Sequence, residues 1–176
     1  MYTSLANKVK SKILFTFDLE NHRNDSAYDK RVVANTQVIL DFLSASALKA
    51  TFFVVASFAD RNKQFVASIH ARGHEIACHS LDHSHLSQET PQEAHRTLVE
   101  AKDILEQIIG TSISGYRAPV FSITPQTIWM LDILKDTGFV YSSSVLPAAN
   151  PLYGFPGLPN NLLRWDNGLF EFPVPL

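Results

Sequence analysis

The chain has 176 residues, 45% of them hydrophobic and 18% charged. That composition excludes disorder, collagen and coiled coil, and favours one globular domain over residues 1–176. Lys and Arg number 15 against 17 Asp and Glu, for a net charge of −2, so neither a basic nucleic-acid surface nor a basic membrane-surface helix is expected. The one cysteine, Cys78, precludes an intrachain disulfide and a Cys-rich structural zinc site. Residues 1–12 are polar, with Lys8, Lys10 and Lys12 and no apolar run of signal length. No segment approaches the ~18 apolar residues of a membrane span. The expected location is cytoplasmic, and the sequence leaves the oligomeric state open.

Ile13–Phe17 reads as a buried strand, followed at once by polar residues from Asp18 to Asp25. From Arg31 to Leu48 apolar residues recur at steps of three and four, predicting a helix. Thr51–Val55 is a second buried strand. Phe65, Val66 and Ile69 mark a short helix that Gly73 stops, and Glu75–Cys78 is a third strand. Thr90-Pro91-Gln92-Glu93 is a capping box opening a helix that ends at Gly110. Thr124-Pro125 opens another, ending at Gly138. Phe139–Tyr141 is a strand, 147–159 a long loop rich in proline and glycine, and Leu162–Val174 a hairpin around Asp166-Asn167-Gly168. Strands alternating with helices predict an α/β fold with a parallel sheet, in a barrel or an open sheet.

Three polar clusters follow predicted strands, on the side where such folds gather their ligand sites. Asp18-Leu19-Glu20 points two carboxylates the same way if extended; a solvated loop is the plain alternative. In His79-Ser80-Leu81-Asp82-His83-Ser84-His85 the first two histidines are four apart. On a helical turn they would share a face, a spacing metals use, and a polar loop that happens to hold histidines is equally open. His85 falls outside that register. In Gly115-Tyr116-Arg117-Ala118-Pro119 an arginine ends an apolar strand, where a carboxylate partner or a structural ion pair is expected.

Taken together, Thr16-Phe17-Asp18-Leu19-Glu20, His79-Ser80-Leu81-Asp82-His83 and Arg117-Ala118-Pro119 resemble the polysaccharide deacetylase family, the NodB homology domain of carbohydrate esterase family four. The stretch Gly115–Thr124, with Tyr141-Ser142-Ser143-Ser144 and Tyr153–Gly157, looks like the subgroup associated with exopolysaccharide and O-antigen loci. The resemblance implies a distorted (β/α) barrel of the NodB type. It implies Asp18 as general base, Arg117 as its holder, and Glu20, His79 and His83 as ligands of a divalent metal. Zn²⁺ suits two imidazoles and a carboxylate, with Co²⁺, Ni²⁺ or Mn²⁺ possible on the same ligands. The implied reaction is attack of a metal-bound water on the N-acetyl group of a sugar, with the oxyanion on the metal and the Val120 amide. Pro119, Val120 and Phe121 would line the substrate. The implied partner is an N-acetylated sugar or oligosaccharide, with no nucleic acid.

Two departures stand out. Ser142 replaces the acidic residue that often follows the tyrosine in the family, and the late Leu-x-His segment carrying the family's general-acid histidine is not found before Leu176. The expectation is therefore a barrel incomplete at its C-terminus, with His22 and His85 as weak substitutes for the acid. Other amides (formyl groups, cyclic ureides) and an inactive carbohydrate-binding fragment are the rival functions. Cys78 reads as a buried strand thiol, Phe52, Phe53 and Phe58 as core, and His70, His74 and His95 as surface. Phe121, Tyr153, Phe155 and Trp165 read either as packing or as a wall for sugar rings.

Overall fold

The computed structural model describes residues 1–5, 13–21, 26–150 and 153–174. Its strands are β1 (Tyr2–Ser4), β2 (Thr16–Leu19), β3 (Thr51–Val54), β4 (Glu75–Cys78), β5 (Gly115–Tyr116), β6 (Tyr141–Ser142), β7 (Leu163–Trp165) and β8 (Phe170–Glu171). Its helices are α1 (Ser26–Ala45), α2 (Ala56–Arg61), α3 (Lys63–Ala71), α4 (Pro91–Ile109) and α5 (Met130–Asp136). All eight strands form one sheet in the order β1-β7-β8-β6-β5-β4-β3-β2. From β2 through β6 to β8 neighbours pair in parallel, while β7 runs antiparallel to both β8 and β1. Helices link most of the parallel strands, which is the α/β arrangement expected. Among the described residues β1 and β2 are the two edges, so the distorted barrel is open between them.

The central strands form where apolar, β-branched and aromatic residues run together. Phe52, Phe53 and Val54 on β3 and Ala77 and Cys78 on β4 are buried. The best-marked helix is α4. Thr90 Oγ1 accepts from the Glu93 amide, the Glu93 carboxylate accepts from the Thr90 amide at 2.8 Å, and Gly110 closes the helix at φ +72°. Ala94, Leu98, Ala101 and Leu105 form its buried stripe.

Several expected elements shift. The first strand starts at Thr16 rather than Ile13, and Ile13 and Leu14 are 84% and 63% exposed. An apolar run predicts burial only if both flanks are covered, and β2 has β3 alone beside it. The helix expected from Arg31 begins at Ser26. The helix expected from Thr124 begins at Met130. There Thr127 Oγ1 accepts from the Thr124 amide and donates to the Ser122 carbonyl at 2.6 Å, which holds the chain in a turn. Helix α2 and strand β1 lacked a sequence signal. His74, expected at the surface, is buried, with Nδ1 accepting from the Ala50 amide and its ring edge-on to Phe52.

Candidate functional site

Register brings the polar clusters to one end of the sheet. Leu19, Val54, Cys78, Tyr116, Ser142 and Glu171 pair in a single row across six parallel strands. The ladder runs one residue further: the amides of Val55, His79, Arg117 and Ser143 donate to the carbonyls of Leu19, Val54, Cys78 and Tyr116. Glu20, His79, Arg117 and Ser143 therefore lie side by side just past the strand ends. Asp18 is two residues before Glu20 and shares its face.

Arg117 is buried and uses its whole fork. Nη1 donates to Asp18 Oδ1 at 2.7 Å, Nη2 to Thr16 Oγ1 at 3.2 Å and to Ser143 Oγ at 2.9 Å, and Nε to the Ser143 carbonyl at 3.0 Å. Its guanidinium lies 4.0 Å above the Phe53 ring, so Phe53 is both core and platform. A planar five-donor head suits this task as a lysine ammonium would not.

Glu20, His79 and His83 offer one carboxylate oxygen and two imidazole nitrogens within 4.8 Å of one another. His79 Nε2 is 3.4 Å from Glu20 Oε2, and His83 Nε2 contacts the same oxygen. His79 Nδ1 donates to the Arg117 carbonyl at 2.8 Å, which orients the ring so that Nε2 faces Glu20. Burial raises the Glu20 carboxyl, but the imidazoles beside it outweigh that and hold it well below the ordinary carboxylate range. Asp18 Oδ2 is 3.9 Å from His79 Nε2, so Asp18 stands beside the three-residue group.

The two histidines do not sit on a helical turn. His79 directly follows β4, and the chain then turns through left-handed residues, Ser80 at φ +69° and His83 at φ +66°. The His83 amide donates to Ser80 Oγ at 2.9 Å. The Ser80 and Leu81 carbonyls accept from the Ala56 and Ser57 amides at the start of α2, so the helix without a sequence signal anchors the His79–His83 loop. A second support also lay outside the sequence reading. Asn21 Nδ2 donates to Asp29 Oδ1 at 2.5 Å, and Arg61 Nε donates to Asp29 Oδ2 at 2.8 Å. Arg61 holds the Asp29 carboxyl below its usual value. That clasp ties the residue after Glu20 to α1 and α2.

Pro119 is buried, Val120 is exposed, and Val120 and Phe121 take φ of +47° and +52°. Positive φ is costly for a β-branched residue, and backbone strain of about 1–3 kcal/mol per residue gathers at working sites. Phe121 lies 5.6 Å from the Arg117 guanidinium. His85 stands outside the Glu20, His79 and His83 group, its Nδ1 accepting from the Ser87 amide, and His22 falls outside the described residues. Trp165 is buried, which removes it from a sugar wall, and half-buried Phe155 packs 6.0 Å from it. Tyr153 lines a surface groove with His85, Thr124, Gln126 and Asn150. Cys78 is a fully buried thiol, pushed up to about 12 by burial.

Comparison with known proteins agrees with the geometry. The family model for polysaccharide deacetylase matches residues 6–142. A chitooligosaccharide deacetylase from Sinorhizobium fredii is 31% identical over 100 residues, covering 56% of this chain and 44% of that protein. The crystal structure of a Mycobacterium smegmatis protein assigned as a polysaccharide deacetylase superposes with a TM-score of 0.70 at 26% identity, covering 92% of this chain and 57% of that one. An allantoinase shares the fold, with a TM-score of 0.65 at 22% identity over 89% of this chain and 48% of its own. The chain spans less than half the length of the curated relatives it matches. With a family match over most of its length and the polar clusters gathered at one end of the sheet, this chain belongs to the polysaccharide deacetylase family.

Proposed function

We propose that the chain is a divalent-metal-dependent hydrolase that removes N-acetyl groups from sugars of a surface polysaccharide or its precursor, in the manner of the exopolysaccharide-associated subgroup. The observation that carries this reading is Asp18, held by Arg117 at 2.7 Å, standing beside the Glu20, His79 and His83 group. The three ligating atoms fit a divalent ion: two neutral imidazoles and a carboxylate make a zinc-type set with positions left for other ligands. The His79 tautomer suits it as well, because Nδ1 is occupied by the Arg117 carbonyl. When bound, such an ion lowers the pKa of water and polarises a carbonyl.

The chain's own residues supply the rest. Arg117 occupies Asp18 Oδ1, and Oδ2 on the side of His79 takes a proton from the attacking water. The guanidinium keeps Asp18 oriented. The Val120 amide donates to the oxyanion, and Pro119 and Phe121 border the acetyl group. Water adds to the acetyl carbon, the proton taken by Asp18 passes to the amide nitrogen as the C–N bond breaks, and acetate and a free amine leave.

The test is acetate release from N-acetylated chitooligosaccharides by the zinc-loaded chain. Asp18→Asn should lower kcat by about 10²–10⁴-fold, the usual worth of a positioned general base, while calorimetry still finds one zinc per chain. Equal rates for the two proteins would overturn the reading. A panel of formyl amides and cyclic ureides locates the substrate if N-acetylated sugars are left intact.

A further inference from the structure

A fully buried carboxyl lies behind the arginine that holds Asp18. Glu171 is on β8, and its Cα partner on β6 is Ser142. Its row of the sheet alternates with the row holding His79 and Arg117, so the two point to opposite faces. Glu171 Oε1 accepts from the amides of Ser144 at 2.8 Å and Val145 at 3.0 Å. The Ser144 amide and the Ser143 carbonyl belong to one planar peptide group, and that carbonyl accepts from Arg117 Nε. One peptide thus joins Glu171 on one side of the sheet to Arg117 on the other, and hydrogen bonds in such a chain polarise and strengthen one another. Ser144 Oγ also accepts from the Ala118 amide at 2.8 Å, so the same segment ties down the approach to Pro119 and Val120.

We propose that Glu171 is a positioning residue for the site described above: it sets Arg117, and through it Asp18, by holding the Ser143–Ser144 peptide from behind. This rests on the function proposed for that site. A carboxyl is a costly choice for the position. Burial pushes it upward, outweighing the Ser144 and Val145 amides and the Ser142 and Trp165 side chains beside it. An apolar side chain would fill the space without that penalty. What an apolar side chain lacks is an acceptor able to reach two adjacent amides.

Two conservative variants separate reach from charge. Glu171→Gln keeps an acceptor oxygen at the same reach, and its kcat and KM should stay within about two-fold of wild type, as expected for a neutral swap. Glu171→Asp keeps the charge but withdraws it by one methylene. Its kcat should fall about 10–100-fold at unchanged KM, the scale of a 1 Å misplacement in a site. A second readout needs no turnover. The Arg117 Nε–H signal in ¹⁵N NMR should exchange slowly in wild type and Glu171→Gln and fast in Glu171→Asp. A wild-type chain that hydrolyses no amide would sink the functional reading and leave this proposal to be judged by exchange. A folded Glu171→Asp with wild-type kcat and a protected Arg117 Nε–H overturns it, and so does loss of both in Glu171→Gln. If Glu171→Asp does not fold, Glu171→Gln decides alone by the same two measurements.

Discussion

The two halves of the site rest on different supports. His79 and Arg117 follow β4 and β5, interior strands with a neighbour on each side, and their side chains are 2% and 8% exposed. Asp18 and Glu20 lie on and just after β2, an edge strand, and are 28% and 19% exposed. On the interior side packing is joined by buried hydrogen bonds, His79 to the Arg117 carbonyl and Arg117 to Ser143. On the edge polar clasps do the positioning: Arg117 to Asp18 and Thr16, and Arg61 to Asp29 to Asn21. A single site can therefore be held partly by core and partly by hydrogen bonds, and the two parts should respond differently to mutation and to pH.

The largest expected contrast is in stability. Phe52→Ala removes a fully buried ring from β3 and should cost about 3–5 kcal/mol, whereas Ile13→Ala beside the exposed start of β2 should stay within about 0.5 kcal/mol. Urea denaturation checks both, and comparable losses would mean that the edge is covered in solution. Next is Gly115→Ala on β5. A Cβ there would stand 2.2 Å from Cζ and Oη of Tyr141, whose hydroxyl donates to Glu75 Oε1 at 2.9 Å. Overpacking of this kind costs about 1–3 kcal/mol, and the melting temperature should fall accordingly.

The smallest effect, and the sharpest for the edge, depends on pH. Arg61 holds the Asp29 carboxyl below its unfolded value of 3.8. Its contribution is therefore complete above that value and disappears as pH falls through the lower folded value. Wild type should exceed Asp29→Asn in stability at pH 7, and the gap should close below about pH 4, where the unfolded carboxyl begins to protonate. A gap that widened on acidification would reverse the assigned sign.

The central strands and α4 were legible because their signals are local: runs of apolar residues, a capping box and a terminal glycine. Asp18, Glu20, His79, His83 and Arg117 stood out because polar residues directly after such runs fall at strand ends. What was not legible depends on neighbours. The exposure of Ile13 follows from the missing partner beside β2, and no window of sequence reports that. The turn at Ser80 and His83 uses left-handed backbone in residues other than glycine, so no glycine marked it. Asp29 and Glu171 lie eight or more residues from what they support, and Ser142 gave no hint that a carboxyl on the adjacent strand lies within reach of the Ser143–Ser144 peptide.

The His79–His83 loop is already fastened at Ser80 and Leu81 by the first amides of α2. A cation held as proposed by Glu20, His79 and His83 would therefore meet a loop whose backbone is already organised, and coordination would not need to organise it. That sets this scaffold apart from small zinc modules, in which ion and fold appear together. Under the proposed reading, exchange of one divalent ion for another should leave the architecture as it was.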